Sequence, residues 1–115
     1  MHQPRAAFGV AVYPNFSQIF VAGGAINQGF ATKSCERYIV KEDKWKRLPE
    51  LKEAKMNPSL CFFNNGSTIY CFGGANPSGS MKMPINTVER LSKGQNSWQI
   101  LNLRLPAPVS DIGCL

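Results

Sequence analysis

The chain alternates between short apolar runs and groups of turn-forming residues, and the whole pattern occurs twice. Short apolar runs separated by Gly, Pro, Asn and Ser are typical of antiparallel strands. No segment shows a sustained 3.6-residue apolar stripe of the kind that predicts a helix. The pattern therefore predicts two four-stranded antiparallel sheets, with strands at 8–12, 18–23, 34–40 and 44–48 and at 59–63, 68–73, 87–91 and 97–101.

The two groups of strands carry the same landmarks in the same order. Each has an apolar strand that ends in a glycine pair, then a Glu-Arg pair, then a tryptophan. The landmarks are Ile19–Gly24 and Ile69–Gly74, Glu36-Arg37 and Glu89-Arg90, and Trp45 and Trp98. The glycine pairs lie fifty positions apart and the tryptophans fifty-three. The extra residues of the second copy fall in 75–85, which is rich in Pro, Ser, Gly and Met and is interpreted as a loop.

These landmarks resemble the Kelch repeat. The positions that carry the resemblance are Gly23, Gly24, Glu36, Tyr38 and Trp45 in the first copy and Gly73, Gly74, Glu89 and Trp98 in the second. The second copy departs from the family pattern at Leu91, where an aromatic residue is usual. The resemblance implies an all-β Kelch-type β-propeller segment, with two four-stranded antiparallel blades at about 5–48 and 57–101 and the first strand of a third at about 107–115. Because propellers use about four to eight blades, we expect further blades or other subunits to complete the ring.

The repeated residues also have a physical explanation. A glycine pair at the end of an inner strand lets backbones approach or turn where a Cβ would clash. An indole buries a large apolar area, so packing between sheets is favoured over a ligand platform for Trp45 and Trp98. Glu36 and Glu89 each precede an arginine and occur once in each sheet, which favours structural hydrogen bonds over catalysis.

The net charge, the length of the apolar runs and the cysteine and histidine content limit the classes of function. Thirteen Lys and Arg against seven Asp and Glu give a net charge of +6. The densest basic run, Lys41–Arg47, is interrupted by acidic residues and a tryptophan, so we expect no nucleic-acid contact. The apolar runs are far shorter than the roughly 20 residues of a membrane span, and we expect a cytoplasmic location. The four cysteines contain no C-x-x-C pair and His2 is the single histidine. We expect buried thiols, no metal and no cofactor.

The long connections between strands are the predicted binding residues. The second-to-third and fourth-to-first connections of each sheet emerge at one end, and long loops on a rigid scaffold commonly carry binding residues. The exposed candidates are Asn27, Gln28, Phe30, Lys33, Lys52, Lys55, Asn76, Met81, Lys82, Met83 and Arg104. Met81 and Met83 either form an adaptable contact surface or pack under their loop. The basic excess favours a partner protein with an acidic segment.

The Kelch resemblance implies a protein-binding module, that is, a non-catalytic scaffold or adaptor. One alternative is a structural component of a large cytoskeletal or ciliary assembly. Another is a segment of a propeller enzyme, because some Kelch-like propellers are copper oxidases or sugar isomerases. The chain itself offers no Ser-His-Asp set and no histidine-based copper centre, so such an enzyme would carry its catalytic residues in other blades.

Overall fold

The computed structural model describes residues 4–27, 30–78, 81–84 and 87–104. Within these ranges the chain forms two four-stranded antiparallel sheets and two small hairpins. The first sheet consists of β1 (Gly9–Val12), β2 (Gln18–Ala22), β5 (Cys35–Ile39) and β6 (Lys44–Leu48). The second consists of β7 (Ser59–Phe63), β8 (Thr68–Phe72), β11 (Thr87–Ser92) and β12 (Gln99–Arg104). The hairpins are β3 (Ala25–Asn27) with β4 (Phe30–Ala31), and β9 (Ala75–Ser78) with β10 (Met81–Pro84).

Both sheets have the same topology. The strand orders are β1-β2-β5-β6 and β7-β8-β11-β12, and β1 and β7 contact each other across the gap between the sheets. The predicted all-β fold of four-stranded antiparallel sheets is confirmed. The fourth strand of the second sheet continues to Arg104 rather than ending near 101. The third inner strand expected at 107–115 lies outside the described residues.

The tight turn of the second sheet follows directly from its sequence. Asn64, Asn65 and Gly66 all have positive φ, at 54°, 56° and 90°. Asn and Gly adopt this region at lower cost than other residues. Gly66 is also needed for space, because a Cβ there would lie 2.5 Å from the ring of Tyr13 on the first sheet. This turn therefore brings the two sheets close together.

The two segments interpreted as loops are hairpins. In each, the first strand continues from a glycine pair and forms a bridge to a distant residue: Ala25 to Ala6, and Ala75 to Met56. Gly24, at φ 107°, turns the chain into the first hairpin, and a Cβ there would lie 2.7 Å from the carbonyl oxygen of Ala6. The hairpin strands are only two to four residues long, too short for an apolar alternation to show, so periodicity does not reveal these hairpins.

The core lies between the two sheets. The first sheet and the connection after it contribute buried side chains, which meet those of the second sheet. These are Ala22, Cys35 and Leu51 on one side and Leu60, Ile69, Cys71, Leu91 and Trp98 on the other. Trp98, at 1% exposure, also donates a hydrogen bond from Nε1 to the carbonyl oxygen of Pro49 at 2.9 Å. Trp98 therefore joins the second sheet to the end of the first.

Among the described cysteines, one differs from the expectation of a buried thiol. Cys35 and Cys71 are buried free thiols. Burial raises the pKa of the Cys71 thiol to about 12 and raises the pKa of Cys35 well above its usual range. Both are therefore protonated and poorly nucleophilic at neutral pH. Cys61 is disulfide-bonded, so the expectation of a free thiol is wrong there.

Candidate functional site

The two hairpins and the connection between the sheets meet at one end of the molecule, which we call the hairpin end. The amide of Leu51 donates to the carbonyl oxygen of Lys33 at 2.9 Å, and the amide of Gly24 donates to that of Lys55 at 2.8 Å. The strands β4 and β9 also contact each other. The described residues that form this end are 25–27, 30–33, 49–57, 75–78 and 81–84, together with the end of β12.

The opposite end carries four short turns, at 13–17, 40–43, 64–67 and 93–96, and we call it the turn end. Adjacent turns are joined by backbone hydrogen bonds, from Val40 to Ser17 at 3.1 Å and from Lys93 to Ser67 at 2.8 Å. The long and short connections are therefore segregated to opposite ends, as the antiparallel pattern predicts.

A buried carboxylate anchors the connection of the hairpin end to the second sheet. Glu89, which is fully buried, accepts hydrogen bonds from the amides of Lys52 at 2.6 Å and Glu53 at 3.2 Å. Its Oε2 also lies 2.8 Å from Nζ of Lys55, and both side chains are 0% exposed. The angles of this pair fall outside hydrogen-bond range, so its attraction is mainly electrostatic. Removing Glu89 would leave a buried cation and two backbone donors without their acceptor.

The first sheet contains the equivalent ion pair. Arg5 Nη2 lies 2.9 Å from Glu36 Oε2, and both side chains are 0% exposed. Arg5 also donates to the carbonyl oxygens of Gly23 and Ser34 at 3.1 and 2.7 Å. Arg5 and Lys55 are fifty positions apart, as are the glycine pairs. Sequence reasoning did not predict that either cation pairs with a buried glutamate, although this shared spacing could have revealed the pairing.

The two repeated tryptophans have different surroundings. Trp98 is fully buried between the sheets. Trp45 is only half-buried and packs against the ring of Tyr38, with centroids 5.1 Å apart. The structure therefore does not place Trp45 between two sheets, because no described sheet covers that face of the first sheet. The repeat alone did not distinguish the two positions.

The expected binding residues are placed as follows. Phe30 is 68% exposed, Lys33 and Lys52 are exposed, and Asn76 is half-buried. Lys55 was expected to be exposed and is instead buried, because Glu89 holds its ammonium in the interior. The backbones of the remaining candidates lie in β3, β10 and β12, but their side chains lie outside what the structure describes. These are Asn27, Met81, Lys82, Met83 and Arg104. Gln28 lies outside the described residues.

Within the described ranges, no group of three or more His, Cys, Asp or Glu side chains is arranged to hold a metal ion. The described part of the chain also contains no helix long and apolar enough to cross a membrane.

Comparison with known proteins agrees with this geometry. The family model described as the Kelch motif matches residues 4–52. Kelch-like protein 26 of Mus musculus is 35% identical over 94 residues, which cover 78% of this chain. The chain belongs to the Kelch-repeat family. Kelch-like protein 40 of Xenopus tropicalis is 29% identical over 104 residues, which cover 86% of it.

The Kelch segment is short relative to these proteins. It spans 14% of the mouse protein and 16% of the frog protein. A solved structure titled "Structure of YjhT" superposes on 93% of this chain with a TM-score of 0.76, at 18% identity, and the match covers 30% of that structure. A likeness at this identity shows a shared fold. The two sheets are thus blades of a Kelch-type propeller.

Proposed function

We propose that this Kelch segment is a non-catalytic protein-interaction module that binds a partner protein through its hairpin end. Kelch-repeat proteins generally mediate protein–protein interactions. The choice of the hairpin end as the binding surface is supported by its structure, because its exposed side chains lie on backbone segments that buried ion pairs hold in place. Because such a surface is already ordered, binding costs little conformational entropy. The cytoplasmic location, and the further blades or subunits that would complete the ring, are part of this proposal.

The exposed residues of the hairpin end indicate the chemistry of the partner. Phe30 offers a largely exposed aromatic ring, and aromatic residues are enriched in protein interfaces. Lys33 and Lys52 are exposed cations on neighbouring segments, joined through the hydrogen bond from Leu51 to Lys33. An exposed aromatic residue and two exposed cations at the same end fit a partner segment that carries an apolar side chain and acidic residues.

A charge reversal at the hairpin end tests this proposal. The variant Lys33→Glu/Lys52→Glu is compared with Lys41→Glu/Lys44→Glu, a pair of exposed lysines in and beside the 40–43 turn of the turn end. Both variants lower the net charge by the same amount, so a general loss of positive charge affects them equally. Quantitative affinity purification from cells, with mass spectrometry of the retained proteins, measures the outcome.

We expect the control to retain the partners of the unaltered chain and the hairpin-end variant to lose most of them. Charge pairs at interface rims contribute about 1 kcal/mol or less each, so Phe30→Ser is tested as well to remove the apolar contact. Retention of the same partners by both hairpin-end variants would show that this end is not the binding surface.

A further inference from the structure

A cleft of about 280 Å³ lies between the two blades and reaches the turn end. Its rim includes Gly66 and Ser67 from one turn and Lys93 to Gln95 from another. Its interior end is bounded by Leu48 and Pro49 of the first blade. Ligand sites in proteins have volumes of roughly 300–1,000 Å³, so this cleft is at the small end and fits a group about the size of one aromatic ring. Of the expected binding residues whose side chains the structure describes, none lines it.

One wall of the cleft is aromatic. Phe62 contacts Phe20 and Tyr13 edge to face, with centroid distances of 4.9 and 5.4 Å. All three rings line the cleft. Edge-to-face packing holds these rings in fixed orientations. A flat apolar group that entered the cleft would therefore meet a preformed surface.

The second chemical feature of the cleft is positive charge. Arg37 donates from Nη1 to Oε1 of Gln18 at 3.0 Å, but its buried Nε has no partner among the described residues. Lys93 adds a second cation at the rim. Among the described residues that line the cleft there is no Asp or Glu. A half-buried guanidinium without a carboxylate is electrostatically unsatisfied, and its planar fork matches the two oxygens of a carboxylate.

We propose that this inter-blade cleft binds a carboxylate attached to an aromatic or branched apolar group, with Arg37 as the main cationic contact and Lys93 as a secondary one. The apolar group packs on Phe20 and Phe62, and the carboxylate lies against the guanidinium. The cleft reaches the end opposite the proposed partner surface, and Phe30, Lys33 and Lys52 do not line it. It therefore stands or falls independently of the protein-interaction proposal.

The repeat supplies a matched control for Arg37. Arg90 occupies the equivalent position fifty-three residues later, but it lies on the far side of the second blade and does not line the cleft. Its Nε already donates to Oε1 of Gln99 at 3.2 Å. Arg37→Gln and Arg90→Gln thus make the same chemical change at equivalent strand positions, with only the first altering the cleft.

The test is a titration of the isotopically labelled full chain with 3-phenylpropionate, followed by amide chemical shifts. The neutral 3-phenylpropanamide, which has the same shape, is titrated in parallel. We expect the acid to shift the amides around the cleft, at Tyr13, Ser67 and Ser92, and the amide compound to bind about ten-fold more weakly. Arg37→Gln should weaken binding of the acid about ten-fold, Lys93→Gln about two-fold, and Arg90→Gln not at all.

A second pair of probes distinguishes the two sources of such a carboxylate. Gly-Gly-Phe with a free carboxyl terminus is compared with its amidated form. Tighter binding of the free peptide than of 3-phenylpropionate would identify a protein carboxyl terminus as the ligand, and binding of the small acid alone would identify a free organic acid. Either result supports the site.

Three results would overturn the proposal: no shifts with the acid at about 10 mM, equal affinity for the acid and its amide, or undiminished binding by a folded Arg37→Gln variant. The first two are measured on the unaltered chain. The proposal therefore remains falsifiable even if Arg37→Gln fails to fold.

Discussion

The buried ion pair between Lys55 and Glu89 offers a direct test of how the blades are held together. Glu89→Gln keeps the shape of the side chain and removes its charge. Lys55 would then be a fully buried ammonium without a counterion, and the amides of Lys52 and Glu53 would lose a charged acceptor. Breaking a buried pair from one side costs about 3–5 kcal/mol. Because domains of this size have unfolding free energies of about 5–15 kcal/mol, this loss would be a large part of the total.

Removing the cation instead of the carboxylate is expected to lower the free energy of unfolding by a smaller amount. Lys55→Met removes the cation, but Glu89 keeps its two backbone donors, so we expect a loss of about 1–3 kcal/mol. In the double variant Lys55→Met/Glu89→Gln neither member of the ion pair keeps a charge, so no charge is left unpaired. Its cost should therefore fall below the sum of the single costs by about 1–3 kcal/mol.

Urea unfolding followed by tryptophan fluorescence measures these free energies, with Trp98 between the blades as the reporter. Glu42→Gln is the control, because Glu42 and Lys46 form an exposed pair at 3.8 Å with 48% exposure on each side. Exposed pairs contribute about 0–1 kcal/mol. If Glu89→Gln destabilised the chain no more than Glu42→Gln, the pair would not anchor the connection and our account of the hairpin end would fail.

Two further predictions concern the core. Trp98→Phe should lower the free energy of unfolding by about 2–4 kcal/mol, because it leaves a cavity and removes the donor to the carbonyl of Pro49. Trp45→Phe should lower it by about 1 kcal/mol or less. Equal urea midpoints for the two variants would contradict the difference in burial. Cys35 and Cys71 should resist iodoacetamide at pH 8 in the native chain and react in urea, since their raised pKa values keep them protonated; peptide mapping that found both alkylated in the native chain would contradict this.

Alternation of apolar and turn residues was sufficient to predict the strands of the two sheets. A strand in a half-buried sheet has a local signature, and Asn64, Asn65 and Gly66 mark their turn by their own backbone preferences. The two glycine pairs and the equal nine-residue spacing from Glu36 to Trp45 and from Glu89 to Trp98 identified the repeat. These features are readable because the physical cause of each lies within a few residues along the chain.

The positions of the hairpins, the ion pairs and the inter-blade cleft all depend on residues distant in sequence. β3 and β9 are positioned by bridges to Ala6 and Met56, and Lys55 was expected on the surface because nothing near it in sequence indicates that Glu89 lies within 2.8 Å.

The order of apolar and turn residues determined that this chain forms β-sheets and which residues recur in each. Only the packing of one blade on the other decided which copy of a repeated residue is buried. Trp98 is enclosed by the first blade and Trp45 is half exposed, although both occupy the same position in their repeats. Burial and electrostatic pairing are properties of contacts between sheets, and a repeat specifies the sheets without specifying which faces meet.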